Sequence, residues 1–196
     1  MSKGDATRAA ILRQAVSMAS VHGLEGLSIG RLAGLAGLSK SGLFGHFGSK
    51  EALQQAVLEN VVVDFRNHVI LPALREPTGL SRLQRLFADW IAWASADEKT
   101  GGCPLLTASI ELDDQPGELR DYLVDQQKAW LDCIARMATK AVSQSEFRSD
   151  LDVEQFAFQF HSIGLGFNFA YRLLDDAKAQ QRAQIAFQQL VANATS

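Results

Sequence analysis

The stretch from Leu27 to Leu53, LSIGRLAGLAGLSKSGLFGHFGSKEAL, leaves a chain few ways to fold. Ser28 and Ser39 each stand just before a short apolar-periodic run, where a hydroxyl caps a helix by accepting an orphan backbone N–H. Gly37 falls between the two runs and tolerates the left-handed backbone of a tight turn. Ile29, Leu32, Ala33 and Ala36 mark the inner side of the first run, and Leu43, Phe44 and Phe47 that of the second. Gly30, Gly34, Gly42 and Gly45 lie inside these helices, and each costs about 1 kcal/mol relative to alanine. Packing from outside the stretch must therefore hold it together.

The flanking sequence supplies that packing. Ile11, Leu12, Ala15, Val16 and Ala19 recur at helical spacing and end at His22-Gly23, which predicts a helix before the stretch. Ser49 opens a fourth helix, expected to stop towards Pro72 because proline disfavours continuation. Further helices are predicted at about 79–96, 104–113, 118–142, 150–174 and 177–193, and no run alternates as a strand does. The expected fold is all-α, with about nine helices: a three-helix helix-turn-helix domain over 1–50, then a larger helical domain over 51–196.

Charge is divided along the same line. Residues 1–50 carry net +4 and residues 51–196 net −7, within an overall −3. A basic head on an acidic body can meet a phosphate backbone through the head alone. No apolar run is long enough for a bilayer and the N-terminus lacks a signal-peptide core, so no membrane role and a cytoplasmic location are expected. Cys103 and Cys133 are too isolated for a disulfide framework, and the four histidines are not spaced as ligand pairs; no metal or cofactor is expected.

Two short helices about a glycine turn suit major-groove reading, with the second helix entering the groove. That helix would run from Ser39 to about His46 and expose Ser39, Lys40, Ser41, Gly45 and His46. Gly42 would allow close approach, while His46 and Lys50, with the N–H groups opening the fourth helix, would hold phosphates.

Taken together, Ser28-Ile29, Leu32-Ala33, Ala36-Gly37-Leu38-Ser39, Gly42-Leu43, Phe44-Gly45-His46-Phe47 and Ser49-Lys50-Glu51-Ala52-Leu53 closely resemble the signature of the tetracycline-repressor (TetR/AcrR) family. The resemblance implies DNA contacts at Ser39, Ser41, Phe44, His46 and Lys50, with Phe44 standing where a tyrosine is usual. The segment Gly101-Gly102-Cys103-Pro104-Leu105, followed by Glu111-Leu112-Asp113 and Pro116-Gly117, looks like a recurrent C-terminal subtype of the family. It also implies a homodimer on a palindromic double-stranded DNA operator, released by a small-molecule effector. The DNA-binding candidates are thus Ser28, Ser39, Lys40, Ser41, Gly42, Phe44, His46 and Lys50.

In the body, Phe87, Trp90, Trp130, Met137, His161 and Phe169 are the candidate effector contacts, and so much aromatic surface suits a largely apolar ligand. The helix from about 150 to 174 is apolar nearly all round, which calls for burial on more than one side. Phe156, Phe160, Phe167, Phe187 and Val191 are the expected dimer interface. Two other readings compete: a helical interaction protein without DNA binding, and a helical enzyme using Cys103 or His161. The first leaves the matched caps and turn of the head unexplained. The second lacks a nucleophile–base pair.

Overall fold

The computed structural model describes residues 3–96 and 101–195. Its regular elements are all helical: α1 (Lys3–His22), α2 (Ile29–Leu35), α3 (Lys40–Phe47), α4 (Lys50–Phe65), α5 (Leu71–Leu74), α6 (Gly79–Ala94), α7 (Pro104–Leu112), α8 (Glu118–Ser143), α9 (Val153–Arg172) and α10 (Ala179–Thr195). Counted as one continuous run from Lys50 to Leu74, the fourth and fifth bring the total among the described residues to nine.

That run does not stop at Pro72 as expected. Between α4 and α5 the chain makes a π turn, Arg66–Ile70, and the Leu71 N–H donates to the Arg66 carbonyl five residues back. Pro72 follows directly at the start of α5, without the N–H that would bond back to the preceding turn. The wider π turn takes up the ring that an α-helical turn would exclude.

Two compact units form. The first comprises residues 1–64 together with 97–123, the second residues 65–96 together with 124–196. Side-chain size gives the reason. The core of the first unit is built from modest aliphatic residues of α1–α3 (Ile11, Leu12, Ala15, Leu32, Leu43), and three short helices cannot close it. Leu53, Val57 and Leu58 of α4 complete one part; Ala108 and Leu112 of α7 and Leu123 of α8 complete another.

Within this unit α2 ends in a Schellman-type turn. Gly37 has φ +66, and the Leu38 N–H reaches back to the Ala33 carbonyl at 2.9 Å. A residue with a Cβ would be strained there, which is why the glycine sits between the two serine-capped helices.

The second unit has a different interior. Phe87 stacks on Phe187 with ring centroids 4.3 Å apart, and Phe160 meets both edge-on at 5.5 and 5.7 Å. Trp90 and Trp130 join this cluster, and Phe65 packs edge-on against Trp93 and Trp130. α6 enters through a capping box at Thr78 and Ser81 and presents Leu83, Leu86, Phe87, Trp90 and Ile91 along its buried side.

Candidate nucleic-acid interface

The serines read as caps do cap. Ser28 Oγ accepts the Arg31 N–H at 3.3 Å, and Ser39 Oγ accepts the Gly42 N–H at 3.0 Å. Ser39 Oγ also lies 3.0 Å from Ser41 Oγ. Its hydrogen-bonding capacity is thus largely spent inside the protein, which leaves Ser41 as the hydroxyl with spare capacity at this end of α3. Lys40 and Ser41 are exposed, Gly42 and His46 half-buried, and Leu43 is fully buried as the anchor of the helix.

Phe44 departs from its expected place on the inner side. It is 41% exposed, on the face that carries Lys40 and Ser41 rather than in the core. Phe47 keeps the inner role, covered by the Arg8 guanidinium 4.9 Å from its ring centroid. α3 therefore offers an ammonium, a hydroxyl and an aromatic ring side by side, with no acidic residue in its own sequence.

Lys50 stands differently from its expectation. Its Nζ donates to both the backbone carbonyl and the carboxylate of Glu25, each at 3.0 Å. The Lys50 ammonium, with the Gln54 amide, holds the Glu25 carboxyl below the usual carboxylate range. A phosphate at Lys50 would have to share it with Glu25. The N–H groups opening α4 are also partly occupied, since Ser49 Oγ accepts the Ala52 N–H and the Glu51 carboxylate is stabilised by its own backbone N–H. Sequence reasoning passed over Arg31, exposed on α2 and 3.3 Å from His22 Nε2. A basic residue on the helix preceding the turn was the available signal.

The body candidates separate into two groups. Phe87, Trp90, Trp130 and Met137 are all buried, and His161 packs with the two tryptophans: it stacks on Trp90 and accepts the Trp130 indole N–H on Nδ1 at 3.2 Å. That bond fixes the proton of the neutral ring on Nε2. Burial pushes the His161 imidazole below its ordinary value. Phe169 does not belong to the cluster and is 54% exposed. A groove of about 300 Å³ lined by Leu131, Asp132, Ala135, Glu154, Ala157 and Phe158 includes none of the six.

The expected dimer residues need the larger correction. Phe156, Phe160, Phe167 and Phe187 are buried inside the monomer, ring against ring, and Val191 is half-buried. The apolar surface of α9 lies on other residues: Phe158, Leu165, Phe169 and Leu173, 43 to 70% exposed at helical spacing along one stripe. Cys103 is buried as the residue preceding α7, and burial raises the Cys133 thiol above its usual range. No cluster of three or more potential metal ligands occurs among the described residues.

Residues 11–57 match the family described as bacterial regulatory proteins, tetR family, and residues 79–187 match a tetracyclin repressor-like C-terminal domain. The chain belongs to the TetR family. Members of that family are transcriptional regulators rather than enzymes. A TetR-family regulator from Chloroflexus aurantiacus has the same fold, with a TM-score of 0.88 at 24% identity over 100% of this chain and 98% of that one. AibR, crystallised with isovaleryl coenzyme A and operator DNA, superposes with a TM-score of 0.70 at 22% identity over 85% of this chain and 86% of its own. The uncharacterised HTH-type regulator YezE of Bacillus subtilis is 22% identical over 170 residues, 86% of this chain and 87% of that protein. Among the described residues, no helix is long and apolar enough to cross a membrane.

Proposed function

We propose that this TetR-family regulator is a cytoplasmic repressor that binds a palindromic operator as a homodimer and leaves it when a small, largely apolar effector binds its second unit. The observation that carries the reading is α3. It is a capped helix behind a left-handed glycine turn, anchored by Leu43, with Lys40, Ser41 and Phe44 exposed together. Lys40 and His46 approach phosphates, Ser41 a base edge or phosphate, and Phe44 the apolar parts of bases or sugars. Ser28, Ser39 and Gly42 shape the helix ends that bring them there. Lys50 contributes by holding Glu25 beside the reading unit.

The stripe Phe158, Leu165, Phe169 and Leu173 supports pairing with a second copy, since a two-fold axis lets one apolar helix face meet itself. The aromatic cluster with His161 supports the effector site: with Nδ1 taken by Trp130, Nε2 is left as a donor beside aromatic rings, and one such polar atom can orient an apolar ligand. The segment from Gly101 to Leu105 supports placing the chain in a C-terminal subtype of the family.

Selection of random duplex DNA with the purified protein, followed by titration at two salt concentrations, tests the reading. Enrichment of a palindrome whose affinity falls as salt rises is expected. Failure to enrich any sequence, from protein shown to carry no bound small molecule, would end it. Leu165→Glu should move the protein from dimer to monomer by light scattering and weaken operator binding with it; a fully dimeric variant removes α9 from the seam.

A further inference from the structure

The segment singled out as a possible subtype mark, Gly101 to Glu111, has a physical task that the operator reading leaves unused. It clasps the end of α1 at two points. At one end, Gly101 lies against the backbone of Ser20 and Val21, so close that any Cβ on residue 101 would collide with the Ser20 carbonyl. At the other, the Glu111 carboxylate of α7 accepts the Leu24 N–H at 2.7 Å and the Glu25 N–H at 2.6 Å, one on each oxygen. These short, charge-assisted bonds join residues 86 and 87 positions apart in the chain. Gly23, with φ +74, makes room for them: a Cβ there would stand 2.7 Å from Glu111 Oε1.

The same loop is tied from a second side. Gln54 of α4 donates to the Leu24 carbonyl and the Glu25 carboxylate, and Lys50 donates to the Glu25 carbonyl and carboxylate. The loop therefore gives its donors to α7 and its acceptors to α4. It leads within a few residues to the Ser28 cap of α2 and so to the turn that places α3. Within the first unit, α4 and α7 thus both reach Gly23–Glu25.

We propose that Glu111 is the positioning residue that sets the helix-turn-helix for operator binding, and that the α7–loop contact is the joint through which α7 acts on α2 and α3. The proposal rests on the operator reading above. It requires that Glu111 affect DNA affinity beyond its share in stability, because the loop still has its α4 ties when the carboxylate is lost.

The test compares Glu111→Ala and Glu111→Gln with Leu123→Ala, a core truncation in the same unit, at a temperature where all are fully folded. Amide exchange at Leu24 and Glu25 and operator titration are the readouts. Glu111→Ala should lose protection at those two amides and bind the operator about tenfold more weakly than Leu123→Ala does, at an unchanged salt slope. Glu111→Gln, which keeps one acceptor oxygen, should fall between Glu111→Ala and wild type. It carries the test if the alanine variant does not fold. An affinity loss no larger than that of Leu123→Ala overturns the proposal, as does unchanged exchange at both amides. Wild-type protein that selects no duplex at all removes the operator reading and the joint together. Wild-type binding left untouched by either Glu111 variant removes the joint alone.

Discussion

The two units are held by different forces. In the second, five large rings (Phe87, Trp90, Trp130, Phe160 and Phe187) interlock, so cohesion comes from buried apolar area and dispersion. In the first, the side chains are smaller and the loop before the reading helices is fixed by carboxylates, an ammonium and an amide. Interlocked rings have few alternative arrangements, whereas hydrogen-bonded joints can be exchanged for water bonds at modest net cost. The difference teaches where a regulator of this kind can be adjusted without being unfolded.

The strongest way to break the comparison is Phe160→Ala. Phe160 is fully buried and meets four other rings. Its truncation should cost about 3–5 kcal/mol of stability in denaturant titration. A loss under about 1 kcal/mol would mean that the cluster collapses around the gap and is not the rigid part. Ser39→Ala comes next, with an expected loss of about 1 kcal/mol from the missing cap. Operator affinity should fall with it, while urea unfolding of the second unit stays as it was. If affinity is unchanged, the Ser39 cap has no part in presenting α3.

The remaining tests sharpen the contrast with smaller effects. Burial holds the His161 pKa below 6.5, so the folded protein takes up this proton less readily than the unfolded chain. Its contribution is complete above the ordinary histidine value and is lost as pH falls through the lowered one. Thermal melts across that window should show a decline that His161→Gln flattens; parallel curves would place the sensitivity elsewhere. Glu25 follows the same sign at lower pH, because its carboxyl is also depressed, but its exposure leaves the effect small. The smallest change expected is in the salt dependence of DNA binding: Lys40→Ala should reduce the slope by about one counterion and leave the fold intact. An unchanged slope would show that Lys40 meets no phosphate.

What could be read from the sequence was whatever is local. Ser28, Ser39 and Gly37 announce caps and a turn because their partners lie within a few residues. The helix ends near His22, Leu112 and Ser143 follow from the same signals. Misplacements arose where the partner is distant. Periodicity shows that α9 is apolar on several sides, yet it cannot say which side is covered by the same chain; Phe156, Phe160 and Phe167 turned out to be inside and Phe158, Leu165 and Leu173 outside. Lys50 reads as a free cation until Glu25, 25 residues earlier, is seen beside it. Pro72 reads as a stop because a π turn leaves no sequence mark comparable to a cap. Glu111 reads as one surface acid among many, since nothing nearby in the chain shows what it holds.

The discontinuity of the first unit has a consequence for the order of events during synthesis. Leu112 and Leu123 help to close the core around α1–α3, so the DNA-reading part cannot finish folding when its own helices emerge from the ribosome. It must wait through the intervening residues 65–96, which belong to the other unit. At a typical elongation rate of roughly 5–20 residues per second, that wait lasts several seconds. For that interval the basic, glycine-rich head keeps part of its aliphatic surface open, and a nascent chain stopped before α7 would carry a reading helix over an incomplete core.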